Sequence, residues 1–438
     1  MTKPAAIFKL RAFIITWFGQ LISLIGSGLT GFAYGVWVYQ KTGSTTLLGL
    51  ISLFTTLPGI ILSPIAGVLV DRWERRWTMI VSNSVAAGVT LLMALLFLAN
   101  SLDVWHIYVG MSVISVCSGL QYIAYTAATT LLVPKQHLGR ASGMVQIGEA
   151  SARIFSPALA GILVSAFKLQ GVLLIDFTSY LVAVATLLIV QFPKPKATTE
   201  EKSEKDSLLR EAFYGWNYVV ARPGLMGLLG FFAIGNFVLA MASVLITPMI
   251  LAFASPAVLG NVLSLGGSGM LIGSVLMSVW GGPKYRMLGM FYFGLLQGVC
   301  VILIGLRPSI PLITAGTFGV FFTVPIIAGC SQAIWQSKVS PEVQGRVFAV
   351  RRMITWSTFP LAYLLAGPLA DYIFEPLLAG NSPLVGNIGR ITSVGAGRGI
   401  GLLFMVLGTL TVVAILCSYL YKPLRIVEKE LPDAIPND

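Results

Sequence analysis

Val133-Pro134-Lys135-Gln136-His137-Leu138-Gly139-Arg140 and Val339-Ser340-Pro341-Glu342-Val343-Gln344-Gly345-Arg346 are two versions of one short pattern. Each closes one long apolar run and opens the next. At the same offset further on, Leu159-Ala160-Gly161 matches Leu365-Ala366-Gly367. Self-similarity at a fixed spacing marks a chain built from repeated structural units, so the sequence divides into two comparable halves.

The runs on either side of these segments set the class. Of the 438 residues, 56% are hydrophobic and only 11% are charged, against about 25% charged in an ordinary soluble domain. A membrane helix needs roughly 20 consecutive apolar residues. Six such runs fall in the first half, at 12–39, 47–70, 77–99, 105–131, 141–167 and 170–191. Six more follow at 224–253, 256–280, 287–306, 309–336, 347–377 and 399–421. The expectation is an all-α polytopic membrane protein with twelve transmembrane helices in two six-helix pseudo-repeat bundles. Its parts are a first bundle over 1–192, a cytoplasmic linker over 193–222, a second bundle over 223–422 and a tail over 423–438. The far end of the linker, Leu208 to Val220, has the length of a short surface helix. The loop from Ala379 to Gly397 is rich in Gly and Asn and lacks a helical period.

The net charge of +12 raises the possibility of a nucleic-acid partner. Its distribution argues otherwise. With the N-terminus inside, 23 Lys and Arg residues fall in inside segments and five in outside ones, with Arg153 left over within a span. That bias orients a membrane protein with both termini in the cytoplasm. Cys117, Cys300, Cys330 and Cys417 lie inside apolar runs without CxxC spacing, and His106 and His137 are the only histidines. No disulfide framework, metal site or cofactor is expected. No Ser/His/Asp set and no GxxxxGK[ST] loop appears, so neither enzyme chemistry nor a nucleotide is expected. The first apolar run leads into another span, not into a cleavage site.

Between the second and third runs the chain reads Gly67-Val68-Leu69-Val70-Asp71-Arg72-Trp73-Glu74-Arg75-Arg76. This resembles the G-x-x-x-D-R-x-x-R-R signature of the major facilitator superfamily. The resemblance implies that Gly67 permits close helix contact and that Asp71, with Arg72 and Arg76, forms a breakable charged latch at the cytoplasmic face. The matching junction in the second half, Gly281-Gly282-Pro283-Lys284-Tyr285-Arg286, keeps glycine and cations but has no acid. Ser156-Pro157-Ala158-Leu159-Ala160-Gly161 in the fifth run resembles the G-P-x-x-G-G element of exporters in that family, with Ser156 and Ala160 in place of two glycines. That element, with Pro157 and Gly161 retained, implies antiport. Gly26-Ser27-Gly28 and Ser331-Gln332-Ala333-Ile334-Trp335 resemble the branch that holds macrolide and enterobactin exporters. The resemblance implies a monomeric secondary transporter in the inner membrane. It would export amphipathic small molecules such as drugs, siderophores or peptide natural products, with the proton gradient as energy source. Uptake, lysolipid movement and a non-transporting membrane sensor of the same fold are the alternatives.

Charges at membrane depth are expensive and therefore informative. Glu149 and Arg153 are four apart in the fifth run, hence on one helical face. Three readings are open for them, a proton carrier with its modulating cation, a fixed ion pair or a contact with the substrate; Thr355 is the aligned position in the second half. Asp176 stands ~9 Å into the sixth run at 1.5 Å per residue, as a second coupling candidate or a helix-to-helix hydrogen bond. Asp371 is near the outer end of the eleventh run. A substrate pocket between the halves would draw on the polar and aromatic groups of its lining spans. Those are Gln20, Ser23, Ser27 and Tyr34 in the first run, Gln121, Tyr122 and Tyr125 in the fourth, Asn236 in the seventh, and Gln332 and Trp335 in the tenth.

Overall fold

A computed structural model describes residues 3–133, 138–190, 192, 216–339, 344–378 and 395–430. In hydrocarbon every backbone N–H and C=O has to be satisfied inside the protein, and a helix does this within its own segment. The first four helices are α1 (Lys3–Thr42), α2 (Thr45–Arg72), α3 (Arg75–Leu98) and α4 (Val104–Leu132). The next helical stretch, Leu138–Ile189, is 52 residues long. At 1.5 Å per residue that is ~78 Å, far more than a bilayer core of about 30 Å. Lys168 interrupts it with φ 55° and ψ −170°, so it forms two spans, α5 (138–167) and α6 (169–189). Then come α7 (Pro223–Leu251), α8 (Pro256–Trp280), α9 (Arg286–Leu306), α10 (Ile310–Lys338), α11 (Gln344–Pro368) and α12 (Arg398–Leu420). A π-helical turn, Leu369–Phe374, and one further turn, Glu375–Leu378, extend α11. Two single turns, α13 (Lys422–Arg425) and α14 (Val427–Glu430), follow α12. Among the described residues eleven apolar stretches are long enough to cross a membrane, and the break at Lys168 makes one of them cross twice. The twelve-span, all-helical expectation holds.

The chain forms two compact units. The first takes residues Met1–Thr198 and also Ala254–Ser264; the second takes Thr199–Phe253 and Leu265–Asp438. The opening turns of α8 are grouped with the first unit. Within the linker and the 379–397 loop, only Trp216–Arg222 and Gly395–Gly397 are described. Trp216–Val220 is helical, and the rest of the segment expected as a surface helix lies outside the described residues. The repeated tetrapeptides at 134–137 and 340–343 lie outside the described residues.

Lipid tails are as apolar as Leu, so membrane helices associate through close packing of small residues. In the first unit Gly26 of α1 faces Ser179 of α6, where a Cβ would lie 2.2 Å from Ser179 Oγ. Gly260 of α8 lies against Pro157 of α5, where a Cβ would lie 2.2 Å from the Pro157 carbonyl oxygen. Gly161 reciprocates, with a Cβ position 2.7 Å from the Pro256 carbonyl. The Pro157–Gly161 segment therefore has a structural use, as the surface on which the start of α8 rests. Ser264 of α8 also donates to the Ile154 carbonyl in the turn before Pro157. The first unit's core gathers Tyr34, Ile107, Val172 and Leu173; the second's gathers Leu228, Met290, Ile326 and Trp335.

A valine at Gly260 meets backbone that cannot swing away. Gly260→Val is expected to cost about 1–3 kcal/mol of stability, seen as a lowered thermal midpoint of the detergent-purified protein. An unchanged midpoint would contradict the close approach.

Candidate functional site

Helix ends leave backbone groups unpaired, and the aligned peptide dipoles favour cations at C-termini and anions at N-termini. Much of the charge near the ends of the spans is used in this way. Arg76 donates from Nε to the Leu187 carbonyl at 2.8 Å and from Nη2 to the Leu188 carbonyl at 2.7 Å, closing α6. Arg398 donates from Nη2 to the Gly305 and Leu306 carbonyls at 2.7 and 3.2 Å, closing α9. The Glu375 carboxylate accepts from the Ile400 N–H at 3.0 Å near the start of α12. The Glu428 carboxylate accepts from the N–H groups of Arg286 and Met287 at 3.1 and 3.0 Å, at the start of α9. Lys338 Nζ, at the end of α10, donates to the Glu428 carbonyl at 2.6 Å. The α8–α9 junction, which has no acid of its own, therefore receives one from the tail. Of the expected latch, Arg76 is engaged on α6. Gly67, Asp71 and Arg72 end α2, and their side chains lie outside the described residues.

Charges within the spans that are not used this way include Glu149, Arg153, Asp176 and Arg351. Glu149 is half-buried and Arg153 is exposed, and the structure records no ion pair between them. Asp176 is different. It lies on α6 at 1% exposure. Ser179 donates to its Oδ1 at 3.2 Å, while its Oδ2 is buried and without a hydrogen-bond partner. Thr30 of α1 adjoins the carboxylate, and Tyr34 and Tyr180 are within electrostatic reach of it. The hydroxyl of Tyr34 is also buried without a hydrogen-bond partner. Ser27 Oγ and Tyr180 OH share a hydrogen bond of 2.9 Å beside them. The cluster carries one carboxylate, several hydroxyls and, among the described residues, no cation paired with that carboxylate.

Its framework is a stripe on α1. Gln20, Ser23, Ser27, Thr30 and Tyr34 recur at intervals of three and four, hence on one face. That face turns into the first unit. Gln20, Ser23 and Tyr34 are buried, and Gln121 of α4 hydrogen-bonds Gln20 through its amide. The expected substrate-lining role thus meets a helix-packing position, since a stripe of this period fits a helix seam as well as a pocket wall. Tyr125 packs with Met79 and Leu187, and Tyr122 is exposed. Ser156 donates to the Ile25 carbonyl at 3.1 Å, joining α5 to α1.

In the second unit Trp335 is fully buried in the core. Asn236 of α7 donates to the Thr355 carbonyl of α11 at 3.3 Å. Gln332 accepts from Arg351 at 2.9 Å. Asn236 also lines a cavity of about 110 Å³, together with Phe232, Gln297, Thr411 and Ser418 among others. Sequence reading did not single out Arg351. Counting loop cations assigns it to the inside segment, although the helix carries it one or two turns further in.

Residues 16–363 match the Major Facilitator Superfamily. The chain belongs to the major facilitator superfamily. It is 29% identical over 372 residues to macrolide efflux protein A of Streptococcus pyogenes, covering 84% of this chain and 91% of that protein. It is 24% identical over 373 residues to the multidrug efflux pump Tap of Mycobacterium tuberculosis, covering 82% of this chain and 87% of the pump. Its fold matches a bacterial homologue of the human lysosomal transporter Spinster at a TM-score of 0.71 and 14% identity, over 98% of this chain and 99% of the other. This major facilitator chain is a multi-pass membrane transporter and not an enzyme.

The tail contact is open to test. Glu428→Ala leaves the Arg286 and Met287 amides without their acceptor, and a hydrogen bond to a charged group contributes about 1.5–3 kcal/mol. Hydrogen exchange at these two amides should quicken by about ten-fold or more, with the middle of α9 unchanged. Equal protection in the variant would show that the tail does not hold the junction.

Proposed function

We propose that this transporter exports amphipathic small molecules across the cytoplasmic membrane, driven by protons moving inward, with Asp176 as the group that carries the proton. The observation that supports this reading most is the buried Asp176 carboxylate with one oxygen unpartnered. A lone charge in a nonpolar interior is costly, and binding a proton removes it. Loss of that proton leaves a charge that the surrounding hydroxyls of Ser179, Thr30 and Tyr34 can solvate only in part. The two protonation states therefore favour different arrangements of α1 and α6, which is the coupling that alternating access requires. A proton crossing the whole field supplies roughly 2.3 kcal/mol per 100 mV. Glu149, half-buried on α5 and not paired with Arg153, keeps a secondary place as a coupling candidate.

Export is supported by the efflux relatives and by the Ser156-Pro157-Gly161 segment that joins α5 to α1 and α8. The amphipathic substrate class is supported by the same relatives and by the mixture of aromatic, amide and hydroxyl groups in the cavity of the second unit. The excess of inside cations supports cytoplasmic termini. Asp71 with Arg72 remains the proposed cytoplasmic latch. One chain containing both units suffices for the cycle, so the working unit is proposed to be a monomer that needs no nucleotide or bound cofactor.

Flux into inverted membrane vesicles tests this, with a macrolide and a fluorescent amphipathic dye as trial substrates. Wild type should accumulate substrate only with an acidic lumen. Asp176→Asn should bind the dye but lose at least about nine-tenths of the proton-driven flux, and Glu149→Gln should keep about half or more. Normal flux in Asp176→Asn, with loss in Glu149→Gln, would move the carrier to α5.

A further inference from the structure

Arg351 lies in the first turns of α11, half-buried, at a place where a guanidinium needs a reason. Its Nη1 donates to Gln332 Oε1 at 2.9 Å and its Nη2 to Ser331 Oγ at 3.3 Å. Its charge centre lies 5.3 Å from the Trp335 ring centroid and 5.7 Å from that of Phe232. Aromatic faces attract a guanidinium and hold it partly out of water. Thr355 Oγ1 donates to the Arg351 carbonyl at 2.8 Å, and Asn236 donates to the Thr355 carbonyl at 3.3 Å, so α7 and α11 are tied together around it. A guanidinium has five N–H donors, and neutral Gln332 and Ser331 take two of them. Among the described residues no carboxylate pairs with Arg351. Unlike Arg76 and Arg398, it closes no helix end among the described residues. Among the described residues the group is thus held in position by neutral partners, half-buried and without a counter-ion, with donors left open to a further acceptor.

We propose that Arg351 is the anion-recognising element of a ligand site in the second unit, and that it takes the carboxylate or other oxyanion at the polar end of an amphipathic molecule. The remaining N–H donors of a guanidinium match an oxyanion in fork geometry. Gln332, Ser331, Trp335 and Phe232 act as positioning residues that set the orientation of the fork. Phe232 and Asn236 also line the cavity of about 110 Å³, which gives an apolar arm of the ligand a place beside the charged end. The same chemistry is offered by an acidic transport substrate and by an anionic lipid headgroup. The inference rests on the transporter reading but not on proton coupling or direction, and binding alone tests it.

The probe is 11-(dansylamino)undecanoic acid, compared with its methyl ester, titrated by fluorescence against the full-length protein in nanodiscs of phosphatidylcholine. Wild type should bind the acid about ten-fold or more tightly than the ester, the value of one added charge-assisted hydrogen bond. Arg351→Gln should lose that preference while its ester affinity stays within about two-fold of wild type. Arg351→Lys, which keeps the charge but not the fork, should retain only part of the preference. A purely structural Arg351 would instead weaken acid and ester together, and that result overturns the proposal. So does a wild type that binds the two probes equally, an outcome that needs no variant to fold. Nanodiscs containing phosphatidylglycerol separate the sources. Competition that is lost in Arg351→Gln assigns the site to lipid headgroups as well, whereas an unchanged acid affinity confines it to the solute.

Discussion

Hydrocarbon gives a polar group nothing to bond to, and this one constraint organises the molecule. It puts the backbone into helices that satisfy themselves. It presses small residues into the seams, as where Gly26 meets Ser179 and Gly260 meets Pro157. It also sends charges to helix ends, where unpaired carbonyls and amides await them. Arg76 and Arg398 close α6 and α9, and Glu428 and Glu375 serve the starts of α9 and α12. These arginines and glutamates are explained by the ends they cap. A charge that the constraint does not place in this way stands out against that background.

Among such charges Asp176 and Arg351 are held in polar or aromatic surroundings, one in each unit. The halves share a scaffold, as the paired LAG segments at Leu159 and Leu365 indicate, but they do not share chemistry. Glu149 of the first half aligns with Thr355 of the second, whose hydroxyl is bonded to the Arg351 carbonyl. The first unit surrounds a carboxylate with hydroxyls; the second surrounds a guanidinium with an amide, a hydroxyl and two aromatic rings. Under the two proposals, one half handles the driving proton and the other the ligand's charged end. A duplicated scaffold would then have been divided between tasks that cannot occupy the same residue.

The helical architecture was legible because length and hydropathy act locally, and the two-half organisation because the repeat survives in the sequence. Even the turn at Lys168 was expected, since a cation separated two runs each long enough to span. The site was legible only in part. The α1 stripe from Gln20 to Tyr34 was visible as a polar face, but period alone does not say whether such a face lines a pocket or a seam. Arg351 was read as a loop cation, because charge counting along the chain does not register how far a helix carries a residue inward. Glu428 could not be read at all, since its partners at Arg286 and Met287 are remote in sequence and the tail has no motif. Proximity of Glu149 and Arg153 in sequence overstated their pairing, because one helical face permits contact without enforcing it.

The central claim is that Asp176 takes up and gives off a proton. Infrared difference spectroscopy of the purified protein between acidic and alkaline buffer reads this directly, through the carboxylic C=O stretch. The account predicts a protonated-carboxyl band that disappears on the alkaline side in wild type and in Glu149→Gln, and that is missing in Asp176→Asn. The same band in Asp176→Asn as in wild type would contradict it.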